Sequence, residues 1–360
     1  MTTVFNSNNT AWTKGEYPLF LGQAPGLYDS VHVNYPKIFD LYKKQKAADW
    51  SEDEIDLTQA RIDMLSCPPE VKDIMVKNLA LQWEFDSVAA RSIAPLLAPF
   101  ITNSEYWAAI NKVGEIEVLH ALTYSEIVRQ CFADPQEIFT EIMANEEITT
   151  RMAPVSKAFS NLKRAGAQWT LGLIDEEDAY SIIMTAQVAL YCLESLQFMS
   201  SFAATFAVVE QGYFQGIGKL VQKIMQDERF IHAELAKTVL QIELGTLRGQ
   251  AWLGSHRKEV EGLVGAVIAA EYGWADYLFS DGRKVVGLTL PLLHKWVDYN
   301  AQNVQDVLGI PHALIDKSPL KMMDNWLDMD KTQNAQQEAD SANYNLNIIV
   351  DDLGDDVIHY

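Results

Sequence analysis

Residues 117–124, Glu117-Val-Leu-His120-Ala-Leu-Thr-Tyr124, decide how the rest of the chain is read. They put a carboxylate, an imidazole and a phenol on one side of an apolar helix, with Tyr124 one turn further along the face that Glu117 and His120 share. A Glu and a His at i, i+3 can hold one metal ion inside a helix bundle. An oxidisable phenol beside such a pair points to redox chemistry more than to hydrolysis. Read alone, the stretch is equally a satisfied buried Glu–His pair with a core tyrosine, because such spacings recur on helices.

Three more segments share its character. Asp86 lies in the largely apolar run LQWEFDSVAARSIAPLL, and Glu194 in the near-apolar run SIIMTAQVALYCLESLQFMSSFAATFAVV. Glu228 and His232 lie in KLVQKIMQDERFIHAELAKTVL. The order is carboxylate, Glu/His pair, carboxylate, Glu/His pair, a pseudo-repeat of two helix pairs. It is the established arrangement of ferritin-like di-iron and di-manganese carboxylate proteins, read onto this chain by analogy with them. Two divalent ions bring four positive charges, and the four carboxylates bring four negative ones. Oxygen and imidazole donors suit iron or manganese, and no cysteine belongs to the set. Taken one at a time, Asp86 reads as a surface acid, Glu194 as a hydrogen-bonded core acid and Glu228/His232 as a solvated pair. Together in one apolar core they all need partners, since an unpaired buried charge is very costly.

Composition narrows the classes. The chain has 360 residues, 48% hydrophobic and 21% charged, which suits a globular protein. With 28 Lys+Arg against 49 Asp+Glu its formal net charge is −21, which argues against nucleic acid or an anionic membrane as partner. Cys67, Cys131 and Cys192 are widely spaced and form no CxxC pair, which fits a reducing cytoplasm. The N-terminal residues lack the basic and apolar regions of a secretory signal. The stretch 181–209 is long enough to span a bilayer, but it carries Glu194 and lacks basic flanks, so it reads as a core helix.

Residues 1–50 are turn-rich, with Pro18, Pro25, Gly26 and Pro36, and read as an irregular arm ending near Trp50. From 51 to 330 the chain reads as one all-α domain. Helical spacing predicts helices at 57–65, 69–93, 102–130, 135–145, 153–170, 176–210, 213–241, 243–255, 258–281 and 285–305. Residues 331–360 carry one Lys against six acids and read as a flexible tail, whose Val350, Leu353, Val357, Ile358 and Tyr360 offer anchors to a partner.

The combined motifs resemble the radical-generating small subunit of class I ribonucleotide reductase. The resemblance starts at PLFLGQAPGLYDS, runs through WSEDEIDLTQARIDM and the four ligand segments, and ends in the acidic tail. It implies a ferritin-like helix bundle in which Asp86, Glu117 and His120 hold one metal, and Glu194, Glu228 and His232 the other. By the same resemblance Tyr124 is oxidised to a stable radical inside an apolar pocket of Phe198, Phe202 and Ile224. In the sequence Phe198 and Phe202 follow Glu194 at +4 and +8, on its face of a continuous helix. Trp50 and Asp227 correspond to the relay that, with His120, links the metals to the surface. Tyr344 corresponds to the tail tyrosine that continues the relay, with Tyr360 as second candidate.

The implied cofactor is a di-iron centre, with two manganese ions as the alternative. The implied partners are the large subunit, met through the tail, and a second copy of the chain. The large subunit binds the ribonucleotides, in keeping with the lack here of a P-loop or GxGxxG motif. A ferritin-like oxidase without a radical-transfer partner, and a metal-free helical scaffold, are the competing readings. One departure stands out: the family spaces its second Glu/His pair i, i+3, whereas Glu228 and His232 are i, i+4. Both spacings share a helix face, and a one-residue π-bulge would restore the register.

Overall fold

The structure, a computed structural model, describes residues 5–23 and 26–329. It is all-helical among those residues, apart from a lone antiparallel bridge between Phe20 and Ile101. The chain opens with α1 (Pro36–Ala47), α2 (Thr58–Ser66), α3 (Pro69–Leu97) and α4 (Ser104–Cys131). Next come α5 (Gln136–Ala144), α6 (Glu146–Arg151), α7 (Ala153–Leu171), α8 (Glu176–Cys192) and α9 (Met199–Val209). It closes with α10 (Gln215–Asp227), α11 (Ala233–Leu244), α12 (Leu247–Leu278), α13 (Leu290–Leu308) and α14 (Lys321–Leu327).

α3 and α4 form the central hairpin, packed along most of their length. Pro69 starts α3, where its missing N–H is no loss. Asn103 caps α4 by accepting from the Tyr106 amide at 2.8 Å. The two helices come close because Gly114 faces Ala94; a Cβ at Gly114 would lie only 2.8 Å from the Ala94 side chain. Inward positions of α4 recur at helical spacing, from Tyr106 and Ile110 through Val113, Glu117, His120 and Tyr124 to Ile127. α9 lies against α3, and α8, α11, α12 and α13 complete the bundle.

Four features depart from the sequence-based expectations. The arm is not irregular throughout: α1 packs on α4 and α11, burying Ile38, Leu41 and Gln45 behind a Pro36 start. The predicted helices 243–255 and 258–281 are one helix, α12. Its turn-prone Gly254-Ser255 does not break it, because Ser255 Oγ bonds back to the Ala251 and Trp252 carbonyls. α6 and α14, too short for a periodic signal, were not expected. The expected continuous helices 176–210 and 213–241 are each interrupted by a π turn, at Leu193–Gln197 and Glu228–His232.

The segment Glu176–Val209 is long and apolar enough to cross a membrane, and its most apolar stretch is buried in the bundle. Its hydrophobicity therefore serves the core.

Candidate metal centre

The two π turns pack against each other in the middle of the bundle, facing α3 and α4. Asp86 comes from α3, Glu117 and His120 from α4, Glu194 from the first π turn, and Glu228 and His232 from the ends of the second. All six are buried, none more than 2% exposed. Asp86, Glu117, His120 and Glu228 offer ligand atoms within 4.8 Å of one another, as do Glu117, Glu194, Glu228 and His232. The two groups share Glu117 and Glu228. This refines the pairing expected from sequence, in which Glu117 and Glu228 each belonged to one metal. Glu228–His232 is a π turn, the bulge that would restore the register of the i, i+4 pair: a wider turn lets residues four apart face one point.

The hydrogen bonds of the donor set test the fit. Both oxygens of Asp86, Glu117 and Glu228, one oxygen of Glu194, Nδ1 of His120 and both ring nitrogens of His232 make none. His232 Nδ1 lies 2.9 Å from Glu117 Oε1, and His120 Nδ1 lies 3.0 Å from Glu228 Oε1. These approaches are charge contacts and not hydrogen bonds, because their direction is wrong for an N–H donor. Each unsatisfied buried polar atom costs ~1–3 kcal/mol. Two cations would satisfy these atoms, so the residues fit a di-metal centre.

The electrostatics of the bare acids agree. Burial pushes Asp86 and Glu194 well above the usual carboxylate range, and Glu117 upward too. Burial opposes ionisation of Glu228 as well, yet the His232 charge together with close contacts from Glu194, His120 and His232 holds Glu228 well below its ordinary value. For His232 burial is outweighed by Glu228 and Glu117, which raise it to about 10. Only cations allow all four acids to ionise together.

Tyr124 is buried in the same core as Phe198, Phe202 and Ile224. Its phenol lies well above the ordinary tyrosine value, raised by burial and then by Asp86, Glu228 and Glu117. Phe198 stacks on Phe202 with ring centres 5.5 Å apart and meets Phe85 edge-on. Glu194 lies within the π turn Leu193–Gln197, so the helix it was expected to share with these two rings is not a continuous α-helix.

Trp50 and Asp227 connect this centre to the surface. Half-buried Trp50 donates from Nε1 to Asp227 Oδ2 at 2.8 Å, and the same oxygen lies 3.2 Å from His120 Nε2. The Trp50 and His120 rings are stacked, 6.1 Å between centres. Asp227 stays ionised: burial opposes this, but His120 and Trp50 hold it below the ordinary value. Sequence reading missed Gln45, which donates to Asp227 Oδ1 at 2.8 Å from a fully buried place on α1. Its one signal was the Ile38–Leu41–Gln45 spacing inside the supposed arm. A surface cavity of about 180 Å³, lined by Lys44, Trp50, Lys223, Asp227, Phe230 and Met329, opens over this end. Tyr344, Tyr360 and the tail 331–360 lie outside the described residues.

Fold and site define a class: a ferritin-like helix bundle around a buried carboxylate–histidine centre fit for two metal ions. The family model for the ribonucleotide reductase small chain matches residues 28–316, and the chain belongs to that family. It is thus the small subunit of an oxidoreductase that works with a large subunit. The ribonucleoside-diphosphate reductase subunit beta of Haemophilus influenzae is 28% identical, over 95% of this chain and 94% of that protein. Subunit beta of ribonucleoside-diphosphate reductase 1 of Escherichia coli O157:H7 is 26% identical, over 91% of each. Among solved structures, the ribonucleotide reductase R2 subunit from Clostridium botulinum shares the fold with a TM-score of 0.72 at 18% identity, over 86% of this chain and 94% of its own. Dimanganese(II)-NrdF of Streptococcus sanguinis does so at 0.68 and 16%, over 84% and 99%.

Proposed function

We infer that this chain generates and stores the radical that starts reduction of ribonucleotides to deoxyribonucleotides. The observation that carries the reading is the pair of four-residue clusters sharing Glu117 and Glu228, with buried Tyr124 beside them. Asp86, Glu117 and His120 would hold one ion and Glu194, Glu228 and His232 the other, and Glu117 and Glu228 belong to both clusters. When bound, two iron ions, or manganese in their place, supply the oxidising power drawn from O2 or an oxidant derived from it.

Tyr124 gives up one electron from its ring and the proton on Oη. Asp86 is the acid whose charge acts most on that phenol. Phe198, Phe202 and Ile224 exclude water and reductants from the oxidised ring. The hole leaves through His120, Asp227 and Trp50, and Tyr344 of the tail carries it into the large subunit. Residues 1–50 act as an arm over the helical domain 51–330, and 331–360 as the tail that docks. In support, Met329, the last of the described residues, stands in the wall of the cavity over Trp50. The chain works as a homodimer in the cytoplasm.

The test is electron paramagnetic resonance after Fe(II) and O2 are added to metal-free protein. A tyrosyl signal is expected, and it should vanish in Tyr124→Phe. Two bound irons with no such signal would overturn the radical reading for iron and leave manganese activation or a di-metal oxidase.

A further inference from the structure

The backbone around Glu194 carries a break that needs a partner. α8 ends at Cys192, the π turn takes Leu193–Gln197, and α9 starts at Met199. One inserted residue rotates the next helix by roughly 100° relative to an uninterrupted one. It also disturbs the hydrogen-bond ladder locally, which can leave N–H groups at the start of α9 to find acceptors outside the helix. Water does not supply them, because Met199, Ser200 and Ser201 are fully buried. Phe198, at the cap position, has no side-chain oxygen to offer. The second π turn differs: it closes within its own ladder, the Ala233 amide bonding the Glu228 carbonyl.

The missing acceptor comes from α12. Glu271, 1% exposed, takes the Ser200 amide on Oε2 at 3.3 Å, and Ser200 Oγ donates to the same oxygen. Neighbouring contacts brace the same few residues. Trp296 Nε1 donates to the Met199 carbonyl at 2.9 Å, and Gln197 Nε2 donates to the Arg151 carbonyl at 3.0 Å. Arg151 in turn fills the space where a Cβ on Gly273 would stand, two residues beyond Glu271.

We propose that Glu271 is a positioning residue for Glu194: by capping α9 it fixes the π turn that aims Glu194 at Glu117, Glu228 and His232. The proposal rests on the reading of Glu194 as a metal ligand. Its specific content is that a side chain outside the centre decides the occupancy of one metal and not of the other. Glu271 touches neither ion nor Tyr124, and the effect runs through backbone geometry.

The test uses the full chain, metal-free, with Glu271→Leu, Glu271→Gln and Ser200→Ala beside the unaltered protein. Two properties are measured: Mn(II) binding by calorimetry, and amide hydrogen exchange of the peptide spanning 193–202. In Glu271→Leu one Mn(II) equivalent should bind roughly tenfold or more weakly, the other should be unchanged, and exchange near Ser200 should accelerate. Glu271→Gln should restore both properties, because the amide oxygen still accepts from Ser200. Equal weakening of both equivalents, or no change in binding, overturns the proposal. If Glu271→Leu does not fold, Ser200→Ala must show the same selective loss in smaller measure, and wild-type behaviour there overturns it. If the unaltered chain takes up no Mn(II), the metal reading fails instead. Exchange at Ser200 then still decides whether Glu271 holds the turn, and unchanged exchange in Glu271→Leu overturns that.

Discussion

A single oxygen of Asp227 joins the surface to the metal centre: Trp50 Nε1 donates to Asp227 Oδ2 at 2.8 Å, and His120 Nε2 reaches the same atom at 3.2 Å. His120 turns Nδ1 toward the acids, so Nε2 carries the proton that Asp227 accepts. Asp227→Asn leaves one oxygen for three donors, so an NH2 group must face either Gln45 Nε2 or the Trp50–His120 pair. Turnover with the large subunit should fall roughly 10- to 100-fold while metal uptake stays intact. Paired activity and metal assays check this, and full turnover would remove Asp227 from the relay.

Gln45 holds the other oxygen of Asp227 from α1. Gln45→Leu leaves that buried carboxylate oxygen without a donor, which costs about 1–3 kcal/mol of stability. It also frees Asp227 to turn away from Trp50. Urea denaturation of the metal-free chain should register the loss, and turnover should drop with metal content unchanged. A variant as stable and as active as the parent would show that α1 does not position the relay.

Tyr124 makes no hydrogen bond through its hydroxyl and lies wholly in the core. Removing the oxygen as Tyr124→Phe therefore breaks no internal bond. Folding and metal stoichiometry should match the parent, with thermal unfolding within a few degrees. The tyrosyl signal and the turnover should both disappear. Retained turnover would assign the radical to another residue.

Much of this was legible in the chain because helices carry their buried face at a regular spacing. Glu117, His120 and Tyr124 could be placed on one face of α4 from that spacing alone, and α4 runs unbroken as expected. The resemblance then supplied the roles. What the spacing could not give lay where the backbone leaves the α ladder. The odd Glu228/His232 spacing left two readings open, an ordinary helical pair and a π turn, and the backbone takes the π turn. The π turn at Leu193–Gln197 left no such mark, since Glu194 has no paired histidine to betray a register change. Gln45 and Glu271 were invisible for a different reason. Their partners lie 182 and 71 residues away along the chain, and only the packed helices bring them together.

Glu194 is the sole cluster residue contributed by its helix. Glu194→Ala removes a carboxylate from the group with Glu117, Glu228 and His232 and leaves the group around Asp86 complete. One equivalent of Mn(II) should be lost or bound far more weakly, and the other kept. Titration of the metal-free variant decides it, and an unchanged stoichiometry would take Glu194 out of the ligand set.

Glu271 also makes stability depend on pH in a predictable direction. Burial raises its carboxyl from 4.5 to about 8, against the lowering by Ser200 and Arg151. The folded chain thus binds this proton more tightly than the unfolded chain does. The contribution to stability is fully present below about 4.5, declines as pH rises, and is gone above about 8. One group imposes a slope no steeper than ~1.4 kcal/mol per pH unit. Asp86 and Glu194 titrate in the metal-free chain as well, so the informative quantity is the difference from Glu271→Gln, which keeps the neutral form at every pH. Denaturation curves of both proteins from pH 5 to about 8.5 should diverge, the parent losing stability faster as pH rises. Parallel curves would mean that Glu271 is already ionised in the folded core, and that α9 is capped by a charge and not by a neutral acid.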